Sequence, residues 1–208
     1  MAADKEIFEN ISLPESKYVL HVISWLTPKK NEPINQYAKR MAAFVKQNNA
    51  VLVGVSFGGV VAQEMSFFLK LKKLIIISSV KTRFELPLRF KIVKLLKLYV
   101  FIPTKLFLSS KDLTQFSLGP NSKKRLQLYQ DYLHVRDKRY LDWAIKQMIT
   151  WNQDEPLPGV YHIHGDNDLV FPIKNIKSCI TIAGGSHIML LTKAHLLSQK
   201  IVDIISQN

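Results

Sequence analysis

Three residues of complementary chemistry, a serine, an aspartate and a histidine, each follow a short apolar run of this sequence. They are Ser56, Asp168 and His187. A serine hydroxyl becomes a strong nucleophile when a histidine accepts its proton and an acid orients that histidine. The order of the three residues, each just beyond a different apolar run, predicts a site that works by nucleophilic catalysis.

The serine lies in the segment Gly54-Val55-Ser56-Phe57-Gly58-Gly59, between an apolar run and a helical pattern. A sharp strand-to-helix turn would project its hydroxyl beyond the carboxyl end of a sheet, and the glycines would let strand and helix approach closely. The backbone N–H of Phe57 would then lie at a helix N-terminus and hold a developing oxyanion. The simpler interpretation is a glycine-rich packing turn. The glycine patterns of phosphate-binding loops cannot be placed here.

The acid and the base are predicted in two later loops. His187 follows two glycines that let it lie over the sheet edge, ahead of the last helix. Asp168 is the predicted partner of His187, and Asp166 is the fallback acid. Taken alone, such a histidine caps a helix or lies at the surface, and such aspartates form turns. Their order after Ser56 favours catalysis instead.

Alternating strands and helices must position these loops. Strands are predicted over residues 18–23, 50–55, 74–78, 160–164 and 179–182, and helices over residues 35–47, 58–69 and 192–206. Most of the strands are apolar on both faces, which is typical of a mostly parallel sheet covered by helices on both sides. The predicted fold class is α/β.

A helical insertion over residues 81–150 is predicted to interrupt a core formed by residues 1–80 and 151–208. Helical patterns cover residues 86–101, 122–134 and 138–151, and Trp143 and Trp151 are expected to pack helices. The first of these patterns is basic and amphipathic. We favour an apolar face that closes over the site with solvated lysines, and keep weak contact with an anionic membrane surface as the alternative.

The composition excludes several classes of protein. The chain has 208 residues, 47% of them apolar, and 29 Lys and Arg against 16 Asp and Glu give a net charge of +13. The single Cys179 cannot form an internal disulfide, and no apolar run approaches the ~18 residues of a membrane span. The first residues also lack the pattern of a signal peptide. We therefore expect a soluble, cytoplasmic globular protein.

Metal and nucleic-acid binding are not predicted. His162 and His164 alternate on a strand, but no third ligand lies at a suitable spacing, and sheet packing explains them better. The positive charge favours phosphate-rich surfaces, yet no nucleic-acid recognition motif accompanies it, so we expect no specific nucleic-acid partner. The sequence leaves open whether the chain is a monomer or a homo-oligomer.

The sequence resembles the α/β-hydrolase superfamily. The segment around Ser56 matches the nucleophile elbow of that family, residues 164–172 match its acid segment, and Gly185-Ser186-His187 match its histidine loop. The resemblance implies a serine hydrolase that cleaves an ester or thioester of a small or acyl-chain substrate without a cofactor. It places the acid on Asp168 and identifies residues 81–150 as a cap. It also implies that the helix near residues 173–177 is reduced to about a turn.

The start of the chain departs from the family pattern. The family has a strand before residues 18–23 that ends in a glycine turn and supplies the second oxyanion N–H. Our hypothesis is that this chain begins one strand late, so that the backbone beside Ala50–Val55 is left unpaired. The second oxyanion donor is then expected to be Met1 or Ala2.

Overall fold

The structure, a computed structural model, describes residues 5–97 and 137–207. In these ranges it contains one sheet of four parallel strands in the order β1-β2-β3-β4. The strands are β1 (Ala50–Val55), β2 (Leu71–Ile77), β3 (Val160–Gly165) and β4 (Ile180–Ile182). The predicted α/β class is therefore confirmed.

Six α-helices lie in the same ranges. They are α1 (Ile34–Ala42), α2 (Phe57–Ser66), α3 (Leu88–Leu95), α4 (Lys138–Thr150), α5 (Met189–Thr192) and α6 (Ala194–Ser206). Short 3-10 helices cover Lys5–Phe8, Arg83–Glu85 and Ile173–Asn175. The last of these confirms that the helix predicted near residues 173–177 is reduced to about a turn. Among the described helices, none is long and apolar enough to cross a membrane.

The sheet separates two apolar layers. Val51, Val53 and Val55 of β1 pack with the layer that contains α5 and α6, whereas Leu52 packs with the layer of α1, α2 and α4. This alternation follows from the two-residue period of a strand. Because both faces are covered, apolar residues are favourable at nearly every strand position, as the sequence indicated.

Residues 18–23 do not form the predicted strand. They have no regular secondary structure, and Val19 is 77% exposed. The physical reason is the lack of a neighbour: β1 pairs with β2 on one side, and no described strand pairs with its other side. An apolar run becomes a strand only where a second strand accepts and donates its backbone hydrogen bonds.

The remaining element predictions hold with shifted ends. The structure begins α1 one residue earlier than predicted and ends it at Ala42. The predicted last helix corresponds to α6, which begins two residues later than predicted, and the short α5 precedes it. In the predicted insertion, α3 and α4 are helical. The predicted helix over residues 122–134 and the end of that over residues 86–101 lie outside the described residues, so the insertion boundary stays a prediction.

The carboxyl ends of the strands meet at one edge, where the site is built. The N–H of Ser56 donates to the carbonyl of Ile77 over 2.9 Å, and that of Ser78 to Ile163 over 3.0 Å. These bonds extend the sheet ladders one residue beyond β1 and β2. The loops after β1, β3 and β4 therefore start from a common, hydrogen-bonded rim.

Candidate active site

Ser56 occupies a strained turn between β1 and α2. Its backbone has φ 54° and ψ −123°, a region that residues with a side chain rarely adopt. Such strain persists only where surrounding structure fixes it, and here β1, β2 and α2 do so. The turn lifts the hydroxyl off the end of the sheet and places the Phe57 N–H in the first turn of α2, where a helix has no acceptor of its own.

Two glycines are required by close approaches at the rim. A Cβ on Gly54 would lie 2.7 Å from Cα of Gly59, at the start of α2. A Cβ on Gly165 would lie 2.9 Å from Cα of Gly185, so the loops after β3 and β4 touch through their backbones. The first approach sets the position of Ser56, and the second sets the distance between the acid loop and the histidine loop.

The structure brings Ser56, His187 and Asp168 together in one hydrogen-bonded row. Oγ of Ser56 lies 2.9 Å from Nε2 of His187, and Nδ1 of His187 lies 2.9 Å from Oδ2 of Asp168. The Asp168 side chain is fully buried and that of His187 is 11% exposed. A carboxylate on Nδ1 fixes the tautomer whose Nε2 can accept the serine proton.

Asp168 is held by its own loop and by charge. Its Oδ1 accepts hydrogen bonds from the N–H groups of Val170 and Phe171, both over 2.8 Å. Burial alone raises the pKa of the Asp168 carboxyl, but the charge and hydrogen bond of His187 and the N–H of Phe171 outweigh burial and lower this pKa below its ordinary value. The Asp168 carboxyl is therefore ionised, and its Oδ2 faces Nδ1 of His187.

Asp166, the fallback acid, has a different partner. Its Oδ1 accepts a hydrogen bond from the N–H of Gly184 over 2.8 Å, in an exposed turn. Gly184 has φ 67°, so the glycine lets the histidine loop turn back toward the acid loop. Asp166 joins the two loops, and Asp168 is the carboxylate that contacts His187.

Helix α3 contacts the acid loop. Nη2 of Arg89 donates to the carbonyls of Leu169 and Val170, over 3.0 and 2.6 Å. The Phe90 ring lies 6.0 Å from the Phe171 ring, which in turn meets the His187 ring edge to face at 5.4 Å. Neither Arg89 nor Phe171 shows a signal of these contacts in its residue type or its spacing.

Aromatic side chains line the nucleophile turn from the other side. Trp25 stacks on Phe57 with ring centroids 6.0 Å apart, and it lies 5.3 Å from the Tyr140 ring of α4. Trp143 is buried and donates to the Glu32 carbonyl over 2.6 Å, and Trp151 donates to Glu64 over 2.8 Å. The two tryptophans thus pack helices, as predicted.

The predicted oxyanion donors and the two histidines of β3 are the remaining candidate residues. The Phe57 N–H lies beside Ser56, while Met1 and Ala2 lie outside the described residues, so the second oxyanion donor stays a prediction. His162 and His164 contact each other, with Nε2 of His162 3.1 Å from Nδ1 of His164. Within residues 5–97 and 137–207, no group of three or more potential ligands is arranged to hold a metal ion.

Stability is expected to fall at acidic pH because His162 is buried in its neutral form. Burial first, and then His164 and Lys81, lower the pKa of His162 to about 3. An unfolded chain protonates this ring below about pH 6.5. Between about pH 6.5 and 3 the unfolded state therefore binds more protons, so the free energy of unfolding decreases as the pH falls, by at most about 1.4 kcal/mol per pH unit for this ring.

Urea unfolding at several pH values measures this effect. The variant His162→Gln keeps a donor near Nε2 but does not titrate, so its stability should depend less steeply on pH than that of the wild type over the same interval. Equal slopes for the two proteins would contradict a neutral buried His162.

Comparison with known proteins identifies the fold. No protein-family model matches this sequence, and no curated protein matches it. Solved structures do match. A lipase-esterase related protein from Clostridium acetobutylicum ATCC 824 superposes with a TM-score of 0.63 at 14% identity, covering 98% of this chain and 90% of the other.

Two further solved structures are similar. A thermophilic esterase from Thermogutta terrifontis has a TM-score of 0.59 at 12% identity, covering 97% of this chain and 85% of the other. The enol-lactonase from Burkholderia xenovorans LB400 has a TM-score of 0.57 at 12% identity, covering 86% of this chain and 75% of the other. The chain has the α/β-hydrolase fold, as the resemblance of its three motifs implied.

Proposed function

We propose that this protein is a serine hydrolase that cleaves an ester or thioester through an acyl-enzyme intermediate. The observation that carries the proposal is the unbroken row Ser56–His187–Asp168, with 2.9 Å at each step. The fold alone hosts many functions. The row adds a nucleophile, a base and an oriented acid at the sheet rim, where this fold presents its chemistry.

Acylation follows from the geometry of the row. His187 Nε2 takes the proton of the Ser56 hydroxyl while Oγ attacks the acyl carbon. Asp168 stabilises the imidazolium that forms, without itself accepting the proton. The N–H of Phe57 donates to the carbonyl oxygen, whose negative charge grows in the tetrahedral intermediate. Collapse of that intermediate breaks the bond to the leaving alcohol or thiol, which receives the proton from His187.

Deacylation repeats the same chemical steps with water as the nucleophile. His187 accepts a proton from a water molecule, which attacks the acyl carbon bound to Ser56. Collapse of the second tetrahedral intermediate releases a carboxylic acid, and His187 returns the proton to the serine oxygen. The same three side chains serve both halves of the reaction, and the balance requires no cofactor.

The surroundings favour an ester with an apolar acyl part. The ring of Phe171 lies against His187, and Phe90 and Val170 pack with the layer beside it. The net charge of +13 attracts an anionic group on the same substrate. We therefore propose a small-molecule ester as the substrate, with p-nitrophenyl esters of rising chain length as the first series to measure.

A fluorophosphonate probe tests the proposal directly. It should form a covalent adduct on Ser56 of the folded wild type, identified by peptide mass spectrometry, because the probe requires a serine activated by a base. His187→Ala should label far more slowly. A folded wild type that does not label, and that hydrolyses esters no faster than His187→Ala, would contradict the proposal and favour a ligand-binding or membrane-surface-binding protein on the same scaffold.

A further inference from the structure

Two histidines of β3 form a buried chain behind the acid of the row. His164 is fully buried and His162 is 3% exposed. Nε2 of His164 lies 2.8 Å from the carbonyl oxygen of Phe171, and its Nδ1 lies 3.1 Å from Nε2 of His162. The proposed reaction assigns neither ring a role, yet burial of a polar ring is costly unless its hydrogen bonds are made. Three of the four ring nitrogens have a partner, and Nδ1 of His162 has none among the described residues.

The hydrogen-bond partners decide the tautomer of each ring. A carbonyl oxygen only accepts, so Nε2 of His164 carries the proton that it donates to Phe171. A neutral ring has a single N–H, so Nδ1 of His164 must accept, and the donor must be Nε2 of His162. The chain of donors therefore runs in one direction, from His162 through His164 to Phe171.

Phe171 connects this chain to the acid. Its N–H donates to Oδ1 of Asp168 over 2.8 Å, while its carbonyl accepts from His164 over 2.8 Å. Because both backbone groups of Phe171 are held by hydrogen bonds, this part of the loop cannot rotate freely, and the loop directs Oδ2 of Asp168 at His187. Displacing the acid by about 1 Å is enough to impair a catalytic row.

We propose that His164 is the positioning residue of the acid Asp168, and that His162 holds His164 in the tautomer which this role requires. The proposal rests on the proposed hydrolase function for its kinetic consequence. Its structural content, the donor on Nε2 of His164 and the fixed Asp168–His187 contact, can be measured without any activity.

The charged and titratable groups around the pair favour neutral rings. Asp168, His187 and Glu85 face His164, and Lys81 and Asp168 act on the pKa of His162 with opposite signs. Burial lowers the pKa of His164 more than Asp168 and the Phe171 carbonyl raise it. Nε2 of His164 lies 3.7 Å from Oδ2 of Asp168, which is too long for a hydrogen bond. A neutral His164 therefore holds the loop in place without pairing with the Asp168 carboxylate, which remains available to interact with His187.

Two substitutions of His164 separate positioning from simple packing. His164→Leu fills the space but removes the donor to Phe171, whereas His164→Gln restores a donor near the position of Nε2. We expect the fluorophosphonate labelling rate to fall about 10- to 100-fold in His164→Leu, and most of it to return in His164→Gln. The maximal labelling rate at saturating probe should fall, whereas the probe concentration that gives half of this rate should stay the same.

Ser198→Ala is the matched control for stability. Ser198 is buried on α6, and its hydroxyl bonds with the Ser12 N–H over 3.0 Å and with the Ala194 carbonyl over 2.9 Å rather than with Ser56, His187 or Asp168. Its loss should lower the thermal midpoint without lowering the labelling rate. A fall in rate that tracked the thermal midpoint across all three variants would overturn the positioning role.

Nitrogen-15 NMR of the ring nitrogens provides the readout that does not depend on catalysis. In the wild type, His164 should be neutral with its proton on Nε2, and the Nδ1 proton of His187 should give a low-field resonance from its bond to Asp168. That resonance should move upfield or broaden in His164→Leu and return in His164→Gln.

The two proposals fail in different ways. A wild type that does not label but shows the expected ring tautomers and the expected change in the His187 resonance would contradict the hydrolase function and support the positioning role. A wild type that labels, with His164 protonated on Nδ1 or with an unchanged resonance and rate in His164→Leu, would support the function and overturn the positioning role.

Discussion

Ser56→Ala is expected to lower ester turnover roughly 10⁴- to 10⁶-fold, because the acyl-enzyme can no longer form and only substrate binding and the Phe57 donor remain. Initial rates with the best p-nitrophenyl ester, at saturating substrate, measure the effect. The substitution removes one oxygen and leaves the backbone of the turn in place, so binding of the ester should change little.

Ser66→Ala, in the helix that follows Ser56, is the control. Ser66 ends α2, and its hydroxyl donates to the Gln63 carbonyl over 2.7 Å. Its loss should change turnover by less than about twofold, as for a surface substitution away from the site. Equal turnover for Ser56→Ala and the wild type would show that the hydrolysis comes from another group.

The strain at Ser56 predicts a second property of this position. At φ 54° an alanine keeps the unfavourable backbone, whereas a glycine adopts it freely. Ser56→Gly should therefore be as inactive as Ser56→Ala but more stable, by about 1 kcal/mol in urea unfolding. A glycine variant no more stable than the alanine variant would mean that the turn is not strained.

Asp168→Asn is also expected to have a large effect and to lower ester turnover about 10⁴-fold. The asparagine can still accept from Val170 and Phe171, so the loop should keep its shape. Its amide N–H₂, however, would face Nδ1 of His187 and favour the tautomer with the proton on Nε2. That tautomer cannot accept the proton of Ser56.

Asp166→Asn is the matched control, since it lies two residues away in the same loop. An asparagine at this position keeps the acceptor for the Gly184 N–H, so turnover should stay within about twofold of the wild type. Steady-state rates of both variants, together with their thermal midpoints, decide which aspartate is the acid. A larger fall in turnover for Asp166→Asn than for Asp168→Asn would assign the acid to Asp166.

The chain order of the motifs made the rim of the sheet predictable. Ser56, Asp168 and His187 follow β1, β3 and β4 by one, three and five residues, and the carboxyl ends of parallel strands meet at one edge. Local rules therefore sufficed to predict which loops lie together. They could not choose between Asp166 and Asp168 with certainty, because the two differ only in which partner the folded loop offers them.

The strand that was predicted over residues 18–23 shows that local composition alone does not decide whether a strand forms. Residues 18–23 have the composition of a strand, and strand formation depends on a neighbour that supplies backbone partners. No described strand pairs with the outer side of β1, so the run stays irregular.

Residue period, glycines and chain order were enough to predict the α/β class, the turn at Ser56 and the loops that carry Asp168 and His187. Packing of distant segments was needed to show which carboxylate meets His187, how Arg89 contacts the Asp168 loop, and how His162 and His164 connect to Phe171. Those features join residues that lie far apart in the chain or share one face of a strand. Their geometry is set by packing, which no local pattern records.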